Sequence, residues 1–150
     1  MKQTNIINVK VSNIRPRYNN LEEWINESNN VYIGRKGIIF INNKRYPQHD
    51  SMWHNPFKIS NNQTRYDVIK KYKKYIVSRI WKENLFSELK KLNNKTLGCW
   101  CKPEQCHGDV LVELINKYKI FSTDLEFLEQ INNLICEIKN MKLIKIKQNK

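Results

Sequence analysis

Cys99, Cys101, Cys106, His107 and Asp109 fall within one short segment of the chain. These residue types can do chemistry. A cysteine near a helix N-terminus and beside a histidine can have a lowered pKa and act as a nucleophile. That describes Cys106. His107 can serve as a general acid or base at neutral pH. Asp109 can act as a base or hold a sugar hydroxyl. A carboxylate there would repel a phosphate, so it favours a sugar or base contact. Gly108 lets another group approach the backbone closely, and Lys102 in the preceding turn can lie near a bound anion. Plainer roles compete with each of these. Asp109 can simply cap a helix, Cys106 can fill the core as free cysteines often do, and His107 can be a structural hydrogen-bonding group. Cys99 and Cys101 share one face of an extended strand, where packing against a helix accounts for them.

Zinc is the other chemistry such a cluster suggests, through Cys99, Cys101, Cys106 and His107. The spacing is C-x-C-x4-C-H, not the usual paired C-x2-C. Adjacent helical residues project about 100° apart, which should keep Cys106 and His107 from meeting at one ion. Extended Cys99 and Cys101 should also stand too far apart. The sequence therefore argues against a metal here, and it implies no cofactor.

A second patch joins Gly34 and Arg35 to the run His54, Asn55, Pro56 and Phe57. Gly34 and Arg35 follow an apolar strand. Asn55 can read a ligand with its amide while Pro56 stiffens the loop. The alternative is an aromatic plug over the core, with Arg35 in solvent.

The elements that must position these groups follow from periodicity. Ile7, Val9 and Val11 alternate with polar residues and predict a strand. Residues 21–25 read as a short helix capped by Asn19 or Asn20, and residues 31–33 as a second strand. Residues 37–41 and 44–46 flank Asn42 and Asn43, which predicts a tight hairpin. Thr64 and Asp67 form a capping-box pattern before a helix carrying Val68, Ile69, Tyr72, Ile76 and Ile80. Another helix runs through Leu85, Phe86, Leu89 and Leu92. Residues 96–101 read as a buried strand, 102–105 as a turn, and Val110, Leu111, Leu114 and Ile115 as one face of the next helix. Residues 122–140 predict a last helix. Strands alternating with helices point to an α/β fold, a three-layer Rossmann-like domain with a mostly parallel sheet. The hairpin is an insertion in that plan. The α/β domain spans 1–120, and a C-terminal helix with a lysine-rich tail spans 121–150. Ligands of such sheets sit beyond the carboxyl ends of the strands, where both patches lie.

Bulk composition narrows the class. The chain has 150 residues, enough to bury a core without staples. No apolar run approaches a bilayer span, and the N-terminus lacks a signal-peptide pattern. A soluble intracellular protein is expected, neither secreted nor membrane-bound. Clustered cysteines in such a chain suggest a local site, not a disulfide framework. The net charge of +13 suits a nucleotide or nucleic-acid partner. The alternative is compositional. There is no alanine, and Lys, Asn and Ile abound, as an AT-rich genome would produce unaided; lysine also far outnumbers arginine, whereas specific phosphate and base recognition favours the arginine fork.

Together, Tyr32-Ile33-Gly34-Arg35, Asn55-Pro56-Phe57, Arg65 with Tyr72, and the string C-W-C-K-P-x-x-C-H-G-D-V-L from Cys99 to Leu111 resemble the family called domain of unknown function 4326. Its members occur in phages, bacteria and large DNA viruses. The likeness covers roughly residues 5–118. It implies a small α/β domain with one site built from these motifs, and it brings no established activity. The cysteine-histidine helix start is also similar to that of another α/β family with C-H-R at the same place. The hairpin over 37–46 and the helix after the domain depart from the usual pattern without touching the motif residues.

The leading expectation is a nucleotide- or nucleic-acid-processing enzyme. Cys106, His107 and Asp109 would be catalytic; Gly34, Arg35, Asn55, Lys102 and Gly108 would bind the ligand; base–sugar bond cleavage or transfer is the first reaction to consider. The alternatives are a non-catalytic nucleotide or nucleic-acid binding module, and a viral assembly or host-interaction protein that self-associates through residues 122–140.

Overall fold

The computed structural model describes residues 3–120, 126 and 129–137. Its elements are β1 (Asn5–Asn8), α1 (Val11–Ile14), α2 (Leu21–Asn26), β2 (Asn30–Tyr32), β3 (Ile39–Ile41), β4 (Lys44–Tyr46), α3 (Arg65–Lys82), α4 (Phe86–Lys91), β5 (Thr96–Cys99) and α5 (His107–Ile120). The fold is mixed α/β: a small parallel sheet of three strands, helices packed on it, and a separate antiparallel hairpin.

β5 is the middle strand. It lies parallel to β1, with Ile6 opposite Leu97 and Asn8 opposite Cys99, and parallel to β2, with Tyr32 opposite Gly98. Backbone pairing runs one residue further on each side. The Val9 N–H donates to the Cys99 carbonyl and the Ile33 N–H to the Gly98 carbonyl, both at 3.0 Å. The chain segments after Val9, Ile33 and Cys99 therefore leave from the same edge of the sheet.

Side chains alternate along β5. Leu97 and Cys99 enter one apolar cluster with Ile33, Tyr72, Ile76, Leu111 and Leu114. Gly98 faces the other cluster, which holds Val9, Leu21, Trp24 and Tyr32. A β-carbon at Gly98 would stand 2.4 Å from the Trp24 indole and 2.6 Å from Val9. The glycine is thus what allows α2 to close on the central strand. Full burial of a large apolar side chain contributes about 1.5–3 kcal/mol, so the buried Trp24 and Leu21 are the main anchors of this short helix.

Local chemistry sets the ends of several elements. The Thr64 hydroxyl accepts from the Asp67 N–H, and the Asp67 carboxylate accepts from the Thr64 N–H at 2.9 Å, a complete capping box. Asn20 caps α2 by accepting from the Glu23 N–H at 3.0 Å. Asn42 and Asn43 take φ of 50° and 62° at the β3–β4 turn, as a tight hairpin turn requires.

The first strand is shorter than its periodicity predicts. Alternation carries the first strand to Val11, yet it stops at Asn8 and α1 begins at Val11. Asn8 turns the chain. Its side chain accepts from the Lys10 N–H at 2.9 Å and donates to the carbonyls of Trp100 and Lys102. Such local bonds compete with ladder pairing.

Of the helix predicted over 122–140, residues 129–137 are helical. Ile131 is buried in the cluster around Leu111, with Leu134 and Ile135 half-buried against it. That apolar face lies on the chain's own core. The remainder of the predicted helix, apart from residue 126, and the lysine-rich tail lie outside the described residues. No helix among the described residues is long and apolar enough to cross a membrane.

Candidate functional site

A hollow of about 320 Å³ opens where β2 and β5 end. Gly34 and Arg35 enter it from the end of β2, Asn55 and Phe57 from the following loop, and Arg65 from the first turn of α3. Cys99, Cys101 and His107 form part of its wall. The two sequence patches therefore meet: Gly34, Arg35, Asn55 and His107 line one hollow.

The wall around Gly34 is built by aromatic hydroxyl chemistry. The Tyr32 hydroxyl donates to the Arg35 carbonyl at 2.8 Å and accepts from the Trp100 indole N–H at 2.9 Å. A β-carbon at residue 34 would lie 2.4 Å from that hydroxyl. The Y-I-G-R motif is thus a tyrosine folded back over a glycine. Burial pushes the Tyr32 phenol up to about 12, against the opposing hydrogen bond from Trp100. It stays neutral and able to donate.

Asn55 is buried, and the chain itself engages its amide. Its oxygen accepts from the Phe57 N–H at 2.9 Å, and its nitrogen donates to the Val68 carbonyl at 3.4 Å. It shapes the wall by tying the N-P-F loop to α3. Arg65 ties α3 to the turn before α5: one guanidinium N–H donates to the Gln105 carbonyl at 3.2 Å.

Four of the sequence-predicted site residues lie away from this hollow. Cys106 is fully buried, and with Asp109 it borders a separate depression beside Tyr66 and Lys73. Asp109 accepts from the Cys106 N–H at 2.9 Å and pairs with Lys102 at 2.7 Å. Both charged groups are therefore committed to the turn and the start of α5. Gly108 is a packing position, since a β-carbon there would meet Ile33 at 2.7 Å and Ile6 at 3.1 Å.

The thiols gather more tightly than their spacing suggests. The ligand atoms of Cys99, Cys101, Cys106 and His107 all lie within 4.8 Å of one another. The Cys99 and Cys101 sulfurs are 3.5 Å apart, and His107 Nδ1 stands 3.7 Å from Cys99 Sγ and 3.9 Å from Cys106 Sγ. Both geometric objections to convergence rest on misplaced boundaries. β5 ends at Cys99, so Cys101 is not extended, and α5 begins at His107, so Cys106 precedes the helix.

His107 is fixed on both ring nitrogens. Its Nε2 lies 2.8 Å from the Ile33 carbonyl. A carbonyl only accepts, so Nε2 carries the hydrogen and Nδ1 faces the sulfurs. Tyr72 stands edge-on to the ring, with centroids 5.0 Å apart. Burial opposes the charged imidazole, but hydrogen bonds with Cys101 and Cys99 outweigh it and push the pKa up to about 9. Within the thiol group, hydrogen bonds from Cys106, Cys99 and His107 bring the half-buried Cys101 thiol down. Cys101 and Cys99, followed by burial, push the Cys106 thiol up.

The parts that sequence reasoning missed as site residues are supporting ones: Asn8, Tyr32, Trp100 and the Arg65–Gln105 tie. The adjacency of Tyr32 to Gly34 was the available signal for one of them. Nothing local marks the tie from Asn8 to the cysteine turn, because the carbonyls it donates to lie more than ninety residues away.

The chain is similar to two viral proteins. One is "Uncharacterized protein R718" of Acanthamoeba polyphaga mimivirus, 36% identical over 109 residues that cover 67% of this chain and 78% of that protein. The other is "Uncharacterized 12.4 kDa protein in nrdA-td intergenic region" of Enterobacteria phage T4, 31% identical over 70 residues that cover 46% of this chain and 63% of that protein. No solved structure matches it. Residues 17–117 match the family described as Domain of unknown function (DUF4326); the tyrosine–glycine wall, the N-P-F loop and the cysteine–histidine turn all fall within that span, and the chain belongs to this family.

Proposed function

We propose that the hollow binds a nucleotide-like anion and that the protein is a nucleotide- or nucleic-acid-binding module. The observation that carries this reading is the hollow's lining. Arg35 and Arg65 supply positive charge and planar donor groups. Phe57, Ile38 and Ile59 supply an apolar surface for a planar ring, and Ile38 and Ile59 are about half exposed at 47% and 52%. Location agrees, since ligands of parallel sheets gather beyond the strand ends. In this reading the sheet, with an apolar cluster on each side, is a reduced three-layer Rossmann-like plan. Free thiols at Cys99, Cys101 and Cys106 accord with an intracellular setting, and the viral relatives accord with a role in infected cells.

Catalysis of base–sugar cleavage fits this lining less well. The reaction needs a carboxylate, and among the described residues none lines the hollow. Asp109, the acid that sequence favours, is engaged by Lys102 and the Cys106 N–H. Binding is therefore the first reading, and cleavage is the reaction to assay on any nucleotide that binds.

Calorimetric titration with nucleoside mono- and diphosphates tests the proposal. Binding should occur at one site and weaken about tenfold or more in Arg35→Gln, the loss expected for a charge-assisted hydrogen bond of about 1.5–3 kcal/mol. Unliganded thermal stability should not change. A panel with no binder, or a binder indifferent to Arg35→Gln and Arg65→Gln, overturns it. Salt separates the ligand sizes. A mononucleotide should show a shallow dependence, and single-stranded nucleic acid bound through many lysines a slope of about −0.7 per phosphate neutralised.

A further inference from the structure

We propose that Cys99, Cys101, Cys106 and His107 form a closed tetrahedral site for one zinc ion. This inference is independent of the nucleotide reading. It stands on the separations between ligand atoms. Zinc bonds of about 2.3 Å to sulfur and about 2.0–2.1 Å to nitrogen at tetrahedral angles place two sulfurs about 3.8 Å apart, and a sulfur and a nitrogen about 3.5 Å apart. The observed values are 3.5 Å for the Cys99 and Cys101 sulfurs, and 3.7 and 3.9 Å from His107 Nδ1 to Cys99 and Cys106. Three of the six edges thus already match the polyhedron, and all four ligand atoms lie within 4.8 Å of one another, so small side-chain rotations would close the rest around an ion.

The surroundings match what a metal site requires beyond its ligands. A ligating histidine donates its other ring N–H to a carbonyl or carboxylate, which fixes the tautomer and aims the free nitrogen. His107 does this to Ile33 at 2.8 Å, and Tyr72 holds the ring from the side. The Gly108 N–H points at the Cys106 sulfur over 3.3 Å, a bond that favours the thiolate a metal needs. Ordinary packing of small apolar thiols would require none of these features. Three thiolates and an imidazole select a soft, tetrahedral ion, hence zinc and not magnesium or calcium.

A disulfide is the competing use of the same residues. It needs sulfurs about 2.05 Å apart, so the 3.5 Å between Cys99 and Cys101 would have to close. It would also leave Cys106 and the aimed His107 nitrogen without a role. With all four positions filled by protein, the ion is structural. It would bind the end of β5, the turn over 100–106 and the first residue of α5 into one unit. The floor of the hollow would then be a rigid metal knot, with Cys106 a ligand and not a nucleophile.

The test uses the full chain, purified under reducing conditions. Elemental analysis should find about one zinc per chain. After chelator extraction, added cobalt(II) should give the intense visible bands of tetrahedral thiolate coordination and a sulfur-to-cobalt charge-transfer band. Cys101→Ser, at a half-buried position that tolerates the change, should lower cobalt affinity at least about tenfold. Cys136→Ser, outside the cluster, should leave both signals intact. The proposal is overturned by chains that carry no zinc and show no cobalt bands on full reduction. It is equally overturned by cobalt bands that survive Cys101→Ser but vanish in Cys136→Ser. An intact mass two hydrogens light, in chains that take up no metal once reduced, assigns the cluster to a disulfide instead.

Discussion

The Lys102 ammonium and the Asp109 carboxylate stand 2.7 Å apart across the turn into α5, and the other Asp109 oxygen holds the Cys106 N–H at 2.9 Å. Asp109 thereby satisfies a backbone donor at the helix start, a capping role. The ion pair adds little, because Asp109 is 46% exposed and exposed pairs contribute roughly 0–1 kcal/mol. Asp109→Ala should therefore cost about 0.5–2 kcal/mol, the range of a lost cap, read as a lower urea midpoint. Affinity for a nucleotide in the hollow should change less than about twofold, because a lost cap is local to the start of α5. Loss of binding at undiminished stability would place Asp109 in the site after all.

The glycine of Y-I-G-R gives a second expectation. A methyl at residue 34 would lie 2.4 Å from the Tyr32 hydroxyl and 2.6 Å from its ring. That hydroxyl also bonds the Arg35 carbonyl and Trp100, so it cannot swing away without losing both. Gly34→Ala should destabilise by about 1–3 kcal/mol, the range for overpacking a filled space. It should also weaken ligand binding by displacing Arg35. Equilibrium denaturation and calorimetry read the two effects. A stable, fully binding Gly34→Ala would show that Tyr32 is not the constraint.

Glu113 supplies a dependence on acidity. It bridges α3 and α5 by pairing with Lys73 and Lys117, each at 2.8 Å. Burial opposes its ionised form, yet the hydrogen bonds from Lys117 and Lys73 outweigh burial and hold its pKa below the ordinary 4.5. A carboxyl with a lowered folded pKa stabilises fully above its unfolded pKa and loses that contribution as pH falls through the folded value. Glu113→Gln should thus cost a few tenths of a kcal/mol up to about 1 at pH 7, discounted for the exposure of the pair. The gap to the parent should shrink as pH drops below about 4.5. Thermal unfolding followed from pH 7 downward checks the sign; a gap that widens on acidification would contradict it.

What could be read from sequence was local. Thr64 and Asp67 sit three apart and cap a helix; Asn42 and Asn43 accept positive φ and turn a hairpin; both are decided by neighbouring residues. The convergence of Arg35 and Asn55 with His107 was legible because strand ends of a parallel sheet share an edge. The thiol geometry was not legible, because it turns on where β5 stops and α5 starts. Ending the strand at Cys99 and starting the helix at His107 converts diverging side chains into a cluster, and boundaries are uncertain by one or two residues. The roles of Asn8 and Arg65 were hidden for another reason. Their bonds reach residues 100, 102 and 105, and no periodicity reports a contact across such a distance.

The place of β5 has a consequence for biogenesis. β1 and β2 do not pair with each other; among the described residues each pairs with β5, the last of the three in the chain. Until residue 99 has emerged, both earlier strands present bare edges of the kind that invite association with other chains. A nascent chain stalled before that point holds helices without a sheet to pack on. Translation must therefore reach β5 before the two earlier strands can cover those edges, which makes the segment leading into the cysteine turn the keystone of the sheet.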